Sequence, residues 1–147
     1  MKLPPLRTAS AEDTDAVLNL LRLMRREIDD GPFEEDLVRA MIGECLTRGA
    51  IILSLSHGEP VGTLGLSTAS FWWSKELFLQ DRWTFVHPQH RRAPHARALL
   101  EAAKQTAKVA GMPLLMGVMG NIRTAGKVKL FSRIFGAPVG ASFLVRN

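Results

Sequence analysis

The chain is predicted to be α/β, with a mixed, mostly antiparallel central sheet and helices on both faces. Two observations carry this. Helical and strand-like hydrophobic patterns follow one another in the order βαα, three strands, then αβαβ, and a strand run followed by strand-helix alternation builds a mixed sheet. The run from Asp81 to Lys104, DRWTFVHPQHRRAPHARALLEAAK, also delivers a strand through a basic turn directly into an Ala/Leu-rich helix. At 147 residues with 46% hydrophobic content, residues 1–147 suffice for one core and predict one domain.

Leu3 to Ala9 reads as a first strand, confined to a sheet edge by Pro4 and Pro5. Ser10 caps a helix, with Asp13 in a capping-box position. Val17, Leu20, Leu21, Met24 and Ile28 form its apolar stripe. Asp30-Gly31-Pro32 stops it, and a second helix from about Phe33 to Arg48 carries Leu37, Met41 and Cys45 on one face. Ala50 to Ser56 and Pro60 to Leu66 are strands joined at His57-Gly58-Glu59, with Gly62 and Gly65 permitting close backbone approach. After an irregular stretch holding Phe71-Trp72-Trp73, Leu77 to Val86 forms the strand that enters the basic turn. A helix opening at about Pro94 buries Ala96, Leu99, Leu100, Ala103 and Ala107 and ends at Gly111. Met112 to Met119 is apolar enough for a central strand covered on both faces. A last helix, about Thr124 to Phe135, turns Val128, Phe131 and Phe135 to one side, and Ala141 to Val145 closes the sheet.

The formal charge of +5 raises the prior for acidic partners, but the basic residues are scattered over several segments, as on solvated helix faces. Nucleic acid is therefore a minority reading. No stretch reaches the roughly 18 apolar residues of a membrane span, and the N-terminus lacks a signal-peptide core, so a cytoplasmic protein with no membrane partner is expected. The single cysteine, Cys45, agrees with a reducing compartment and is read as core. His87, His90 and His95 have no cysteine or carboxylate among them, so no metal site is expected. Phe71, Trp72 and Trp73 could wall an acceptor pocket or form a subunit contact, which leaves a homodimer open.

The basic turn is the chemically informative segment. A helix N-terminus leaves backbone N–H groups unpaired and carries partial positive charge, and here Arg91, Arg92, His95 and Arg97 flank it. Its simplest ligand is a phosphate or pyrophosphate; the plain alternative is a solvated turn capping an ordinary helix. Pro94 suits a helix start but removes one N–H donor.

Val86, Pro88, Arg91 and Ala96 resemble the acyl-CoA-binding motif of the GCN5-related N-acetyltransferases (GNAT), a Val-x-Pro-x-x-Arg turn leading into Gln/Arg-x-x-Gly-x-Gly/Ala and a helix. Pro94 stands where the first glycine is expected. With KLFSRIFGAPVG from Lys129 to Gly140, the chain is similar to a divergent branch found among phage-borne acetyltransferases. The resemblance implies the acyl-CoA N-acyltransferase fold and direct transfer of acetyl from acetyl-CoA to a primary amine acceptor. It places the cofactor site at Phe85 and Val86 for the pantetheine arm and at Arg91, Arg92, Ala93, His95 and Ala96 for the pyrophosphate, with Asn121 before the last helix. It offers Asp81, with Glu76 just before it, as general base on the strand preceding the loop. A surface aspartate paired with Arg82 is the plain alternative for Asp81, which is also read as sharing a strand face with Trp83. The family's tyrosine acid corresponds to Phe131, which cannot donate a proton, and the chain has no tyrosine. Water or Ser132 would then assist the leaving thiolate; otherwise the chain is a weak or inactive module binding CoA, nucleic acid or a protein.

Overall fold

Antiparallel pairing from a first short edge strand builds the sheet outward in chain order, through one tight hairpin between the second and third strands and a longer loop before the fourth. The computed structural model describes residues 2–28, 31–119 and 123–147. Strand β1 (Leu6–Thr8) pairs antiparallel with β2 (Gly49–Ser56), β2 with β3 (Glu59–Ala69), and β3 with β4 (Phe78–Val86). The last strand, β5 (Leu114–Leu115), lies parallel to β4, giving the order β1-β2-β3-β4-β5. Helices α1 (Thr14–Ile28) and α2 (Glu35–Arg48) cover one face, and α3 (His95–Ala110) and α4 (Thr124–Phe135) the other.

Strand alternation sorts the core into two layers. Ile51 and Leu53 of β2 pack with Val17, Leu18, Leu21, Ile42 and Cys45 beneath α1 and α2. Ile52, Leu64, Leu66 and Leu79 pack with Leu99, Leu100 and Ala103 of α3. Each layer removes apolar area from water at roughly 25 cal/mol per Å². The β2–β3 hairpin turns on His57 and Gly58, both with positive φ (50° and 79°), the two-residue geometry that matches strand twist. Gly111 ends α3 in the left-handed conformation, at φ 67°.

Several expectations are corrected. The α2 stripe runs through Val38, Ile42 and Cys45, with Leu37 65% exposed. On α4 the inward residues are Leu130, Phe131, Ile134 and Phe135, while Val128 sits at the margin. The strand expected over Met112 to Met119 is regular only at Leu114–Leu115 and lies at the sheet edge, not its centre. Pro113 has no N–H to donate, and the Gly117 N–H donates to the Asp81 carboxylate (3.0 Å) instead of to a strand carbonyl. The segment Ala141 to Val145 forms no strand and is exposed, because so short a β5 offers no long edge to pair with.

Candidate active site

Strands β4 and β5 pair only at Leu79 with Leu114 and Gln80 with Leu115, then part. Asp81 is the next residue of β4 and stands at the fork. Its Oδ1 spans the opening to accept the Gly117 N–H. From there to Val86, β4 is paired only with β3 among the described residues, so its other edge faces the gap. A parallel strand–helix–strand unit opens its crevice at the carboxyl ends of its strands. Here that end of β4 leads to the α3 N-terminus.

A bulge decides what faces where. The β3–β4 register shifts between Gly65 and Leu66, so that Leu66 lies opposite Asp81 and Gly65 opposite Trp83. Leu66 belongs to the α3 layer and Trp83 to the α1–α2 layer, so Asp81 and Trp83 lie on opposite faces rather than sharing one. The inserted residue reverses the alternation that strict period two would give. Burial pushes the Asp81 carboxyl up to about 6, against the opposing pull of the Gly117 N–H, its own backbone N–H and the Arg82 charge. Arg82 forms no ion pair with Asp81; its Nε donates to the Ser67 hydroxyl (2.7 Å).

The turn after β4 is held by its own side chains. A 3₁₀ turn spans Pro88–His90, capped by His87, whose Nδ1 accepts the Gln89 N–H (3.1 Å). Arg91 donates from Nε to the Val86 carbonyl (3.0 Å) and from Nη2 to Glu27 of α1 (2.6 Å), and its guanidinium lies over the Phe85 ring. It braces the turn. Arg92 and Ala93 are exposed. Pro94 occupies the cap position rather than the first helical one, and α3 begins at His95. The His95 N–H turns back to the Ala93 carbonyl (2.9 Å) and that of Ala98 bonds Pro94 (3.0 Å). Helix geometry therefore leaves Ala96 and Arg97 as the first-turn donors for an anion.

His95 points inward. Its ring is buried and its Nδ1 bonds the Oγ of fully buried Ser54 on β2, which ties the helix start to the sheet. Burial, with His90 nearby, lowers its pKa and keeps the ring neutral. Phe85 and Val86 are buried at the end of β4. Glu76 is exposed in the β3–β4 connection, at the opposite end of β4 from the α3 N-terminus. Ser132 is half-buried on α4, and its carbonyl accepts the Gly136 N–H. Phe131 packs against the α3 layer, edge-on to Phe135. Asn121 lies outside the described residues. The fork thus gathers Asp81, β4's free edge and the α3 N-terminus, and leaves Glu76 and His95 apart.

On the other face, α1, α2 and β4 enclose an apolar groove of about 350 Å³ that strand periodicity did not reveal. The bulge places both Arg82 and Trp83 on its lining; two successive β4 residues on one face need an insertion that no local composition announced. Cys45 is core, its thiol pushed up to about 11 by burial. Among the described residues no helix is long and apolar enough to cross a membrane.

No family model matches the chain, and no curated protein does. Solved structures do. An aminoglycoside acetyltransferase from an uncultured soil metagenomic sample superposes with a TM-score of 0.72 at 18% identity, covering 100% of this chain and 99% of its own. An integron cassette protein from the mobile metagenome of Cole Harbour Salt Marsh gives 0.76 at 21%, covering 97% and 89%. The ribosomal-protein-alanine N-acetyltransferase of Brucella melitensis biovar Abortus 2308 gives 0.74 at 16%, covering 97% and 98%.

Proposed function

Because the chain has the fold of the GCN5-related N-acetyltransferases, we propose that it transfers acetyl from acetyl-CoA to a primary amine by direct attack. The observation that carries this is the fork: β4 and β5 part where a half-buried carboxylate stands, and β4 then runs to a helix N-terminus with unpaired donors. The donor brings an activated acetyl thioester; the chain supplies position and proton management. The free edge of β4 toward Phe85 and Val86 suits the amide-bearing pantetheine arm. The Ala96 and Arg97 N–H groups, with the Arg92 and Arg97 charges, suit a pyrophosphate, and Arg91 holds the turn in shape. Arg92 and Ala93 supply the exposed loop backbone. Asp81, with its carboxyl near 6, is the group that accepts the ammonium proton of the acceptor at neutral pH. Water or Ser132 protonates the leaving sulfur.

Calorimetric titration with acetyl-CoA at moderate and high salt tests this. Saturable binding near one per chain at both salts supports the reading, with Asp81→Asn binding normally and turning over roughly 10²–10⁴-fold more slowly. A folded protein giving no saturable heat would reject it. Phe131 favours a second reading: with a packed phenylalanine where the family has its acid, the chain would bind CoA, nucleic acid or a protein without useful turnover. That reading expects intact acetyl-CoA binding or strongly salt-dependent nucleic-acid binding, and no amine acetylation.

A further inference from the structure

We propose that the groove between α1, α2 and β4 selects an acceptor with an apolar body and a carboxylate beside its amine, that is, an apolar α-amino acid or close analogue. This rests on the acetyltransferase reading above. At about 350 Å³ the groove is at the small end of ligand sites, and its walls include Leu21, Met24 and Ile28 of α1, Phe33 and Met41, with Trp83 on the sheet side. Trp83 donates its Nε1–H to Thr63 (3.1 Å), so it presents hydrocarbon and ring face rather than an unpaired donor. The charged residues among the described lining are Arg25 and Arg82, and no carboxylate stands among those described. Against the described lining, a polycationic acceptor would set its ammonium groups on apolar walls and beside the Arg82 guanidinium. The described lining therefore suits an apolar acceptor body better than a polycationic aminoglycoside.

Arg82 is built for anion recognition. The bulge brings it to the groove, and the fully buried Ser67 hydroxyl fixes its guanidinium through Nε (2.7 Å). Among the described residues, no carboxylate forms an ion pair with it. Arg7, Arg22, Arg39 and Arg91 each have one, at 2.8, 2.9, 3.0 and 2.6 Å. A guanidinium held in plane offers its remaining N–H pair to a carboxylate in fork geometry. Asp81 precedes Arg82 in β4 and faces the opposite side of the sheet. In the proposed arrangement the acceptor's carboxylate rests on Arg82 and its amine reaches the fork past the edge of β4 that β5 leaves open.

Two measurements test this. Thiol release from acetyl-CoA is followed with L-leucine, L-leucinamide and tobramycin as acceptors, and N-acetyl-L-leucine is titrated calorimetrically without donor. The expected result is a kcat/KM for leucine about tenfold or more above leucinamide, and above tobramycin, with that ratio falling toward one in Arg82→Gln and partly restored in Arg82→Lys. N-acetyl-leucine should bind wild type and lose about tenfold or more in affinity in Arg82→Gln. A leucine-to-leucinamide ratio near one in the wild-type protein, or transfer only to tobramycin, overturns the groove assignment while leaving an acetyltransferase. Arg82-dependent binding of N-acetyl-leucine with no acetyl transfer to any amine supports the groove and overturns the transferase reading. The wild-type ratio stands even if an Arg82 variant fails to fold.

Discussion

At the residue scale, Asp81 and His95 pull stability in opposite directions with pH. Asp81 is raised from 3.8 to about 6 in the fold, so the native state binds its proton more tightly than the unfolded chain. That contribution is complete below about pH 4 and is lost as pH rises through 6. Asp81→Asn keeps an acceptor for the Gly117 N–H and removes the cost of a desolvated charge. We expect the variant to be more stable than wild type by about 1–2 kcal/mol at pH 8 in urea unfolding, with the difference closing by pH 4. In turnover, the same carboxylate predicts a wild-type rate that rises with pH through about 6 and levels above it. His95 is lowered from 6.5, so its contribution is present above that value and lost as pH falls below it. His95→Ala strands the Ser54 hydroxyl and should cost about 1–3 kcal/mol at pH 8, while flattening the loss of stability as pH falls below 6.5. An unchanged acid limb in the variant would show that another group sets it.

At the element scale, the β3–β4 pair is set by one glycine and one bulge. A Cβ on Gly65 would lie 2.5 Å from the Trp83 ring, which is itself pinned to Thr63. Gly65→Ala should therefore cost about 1–3 kcal/mol, since the ring has no slack to yield. Gly43 on α2 and Gly126 on α4 have nothing within 4 Å of an added Cβ, so Ala at either should stabilise by about 0.5–1 kcal/mol. Opposite signs in parallel denaturation curves would separate close backbone approach from mere helix propensity. The sequence marked Gly62 and Gly65 as places of close approach because glycine in a strand has few other uses. It could not place the bulge, since an inserted residue is visible only as a mismatch with a partner strand.

At the scale of the whole molecule, the sheet stops at β5 and the chain beyond α4 lies outside it. Val139, Phe143 and Val145 are 93%, 90% and 77% exposed. Phe143→Ser should change the unfolding free energy by less than about 0.5 kcal/mol, because its side chain is 90% exposed. A larger loss would mean that this segment is covered in solution by a contact the single chain lacks. Trp72, 92% exposed between β3 and β4, packs edge-on to Trp73, which stacks on Phe71. Its replacement by Ser should be neutral within about 0.5 kcal/mol.

What the amino-acid order determined by itself is what depends on near neighbours in the chain. The helix stripe from Val17 through Leu21, the His57-Gly58 turn, the apolar strand from Ala50 to Ser56, the Gly111 stop and the strand-turn-helix run from Asp81 to Lys104 all follow from local periodicity and backbone preference. What only the tertiary structure decided depends on partners distant in the chain. The fork at Asp81 needs Gly117, the inward turn of His95 needs Ser54, the brace on Arg91 needs Glu27, and the exposed C-terminal segment follows from how little edge β5 offers. Hydrophobic pattern says that a segment will be buried or paired; only the packed neighbours say against what, because burial and hydrogen bonding are satisfied between segments and not within them.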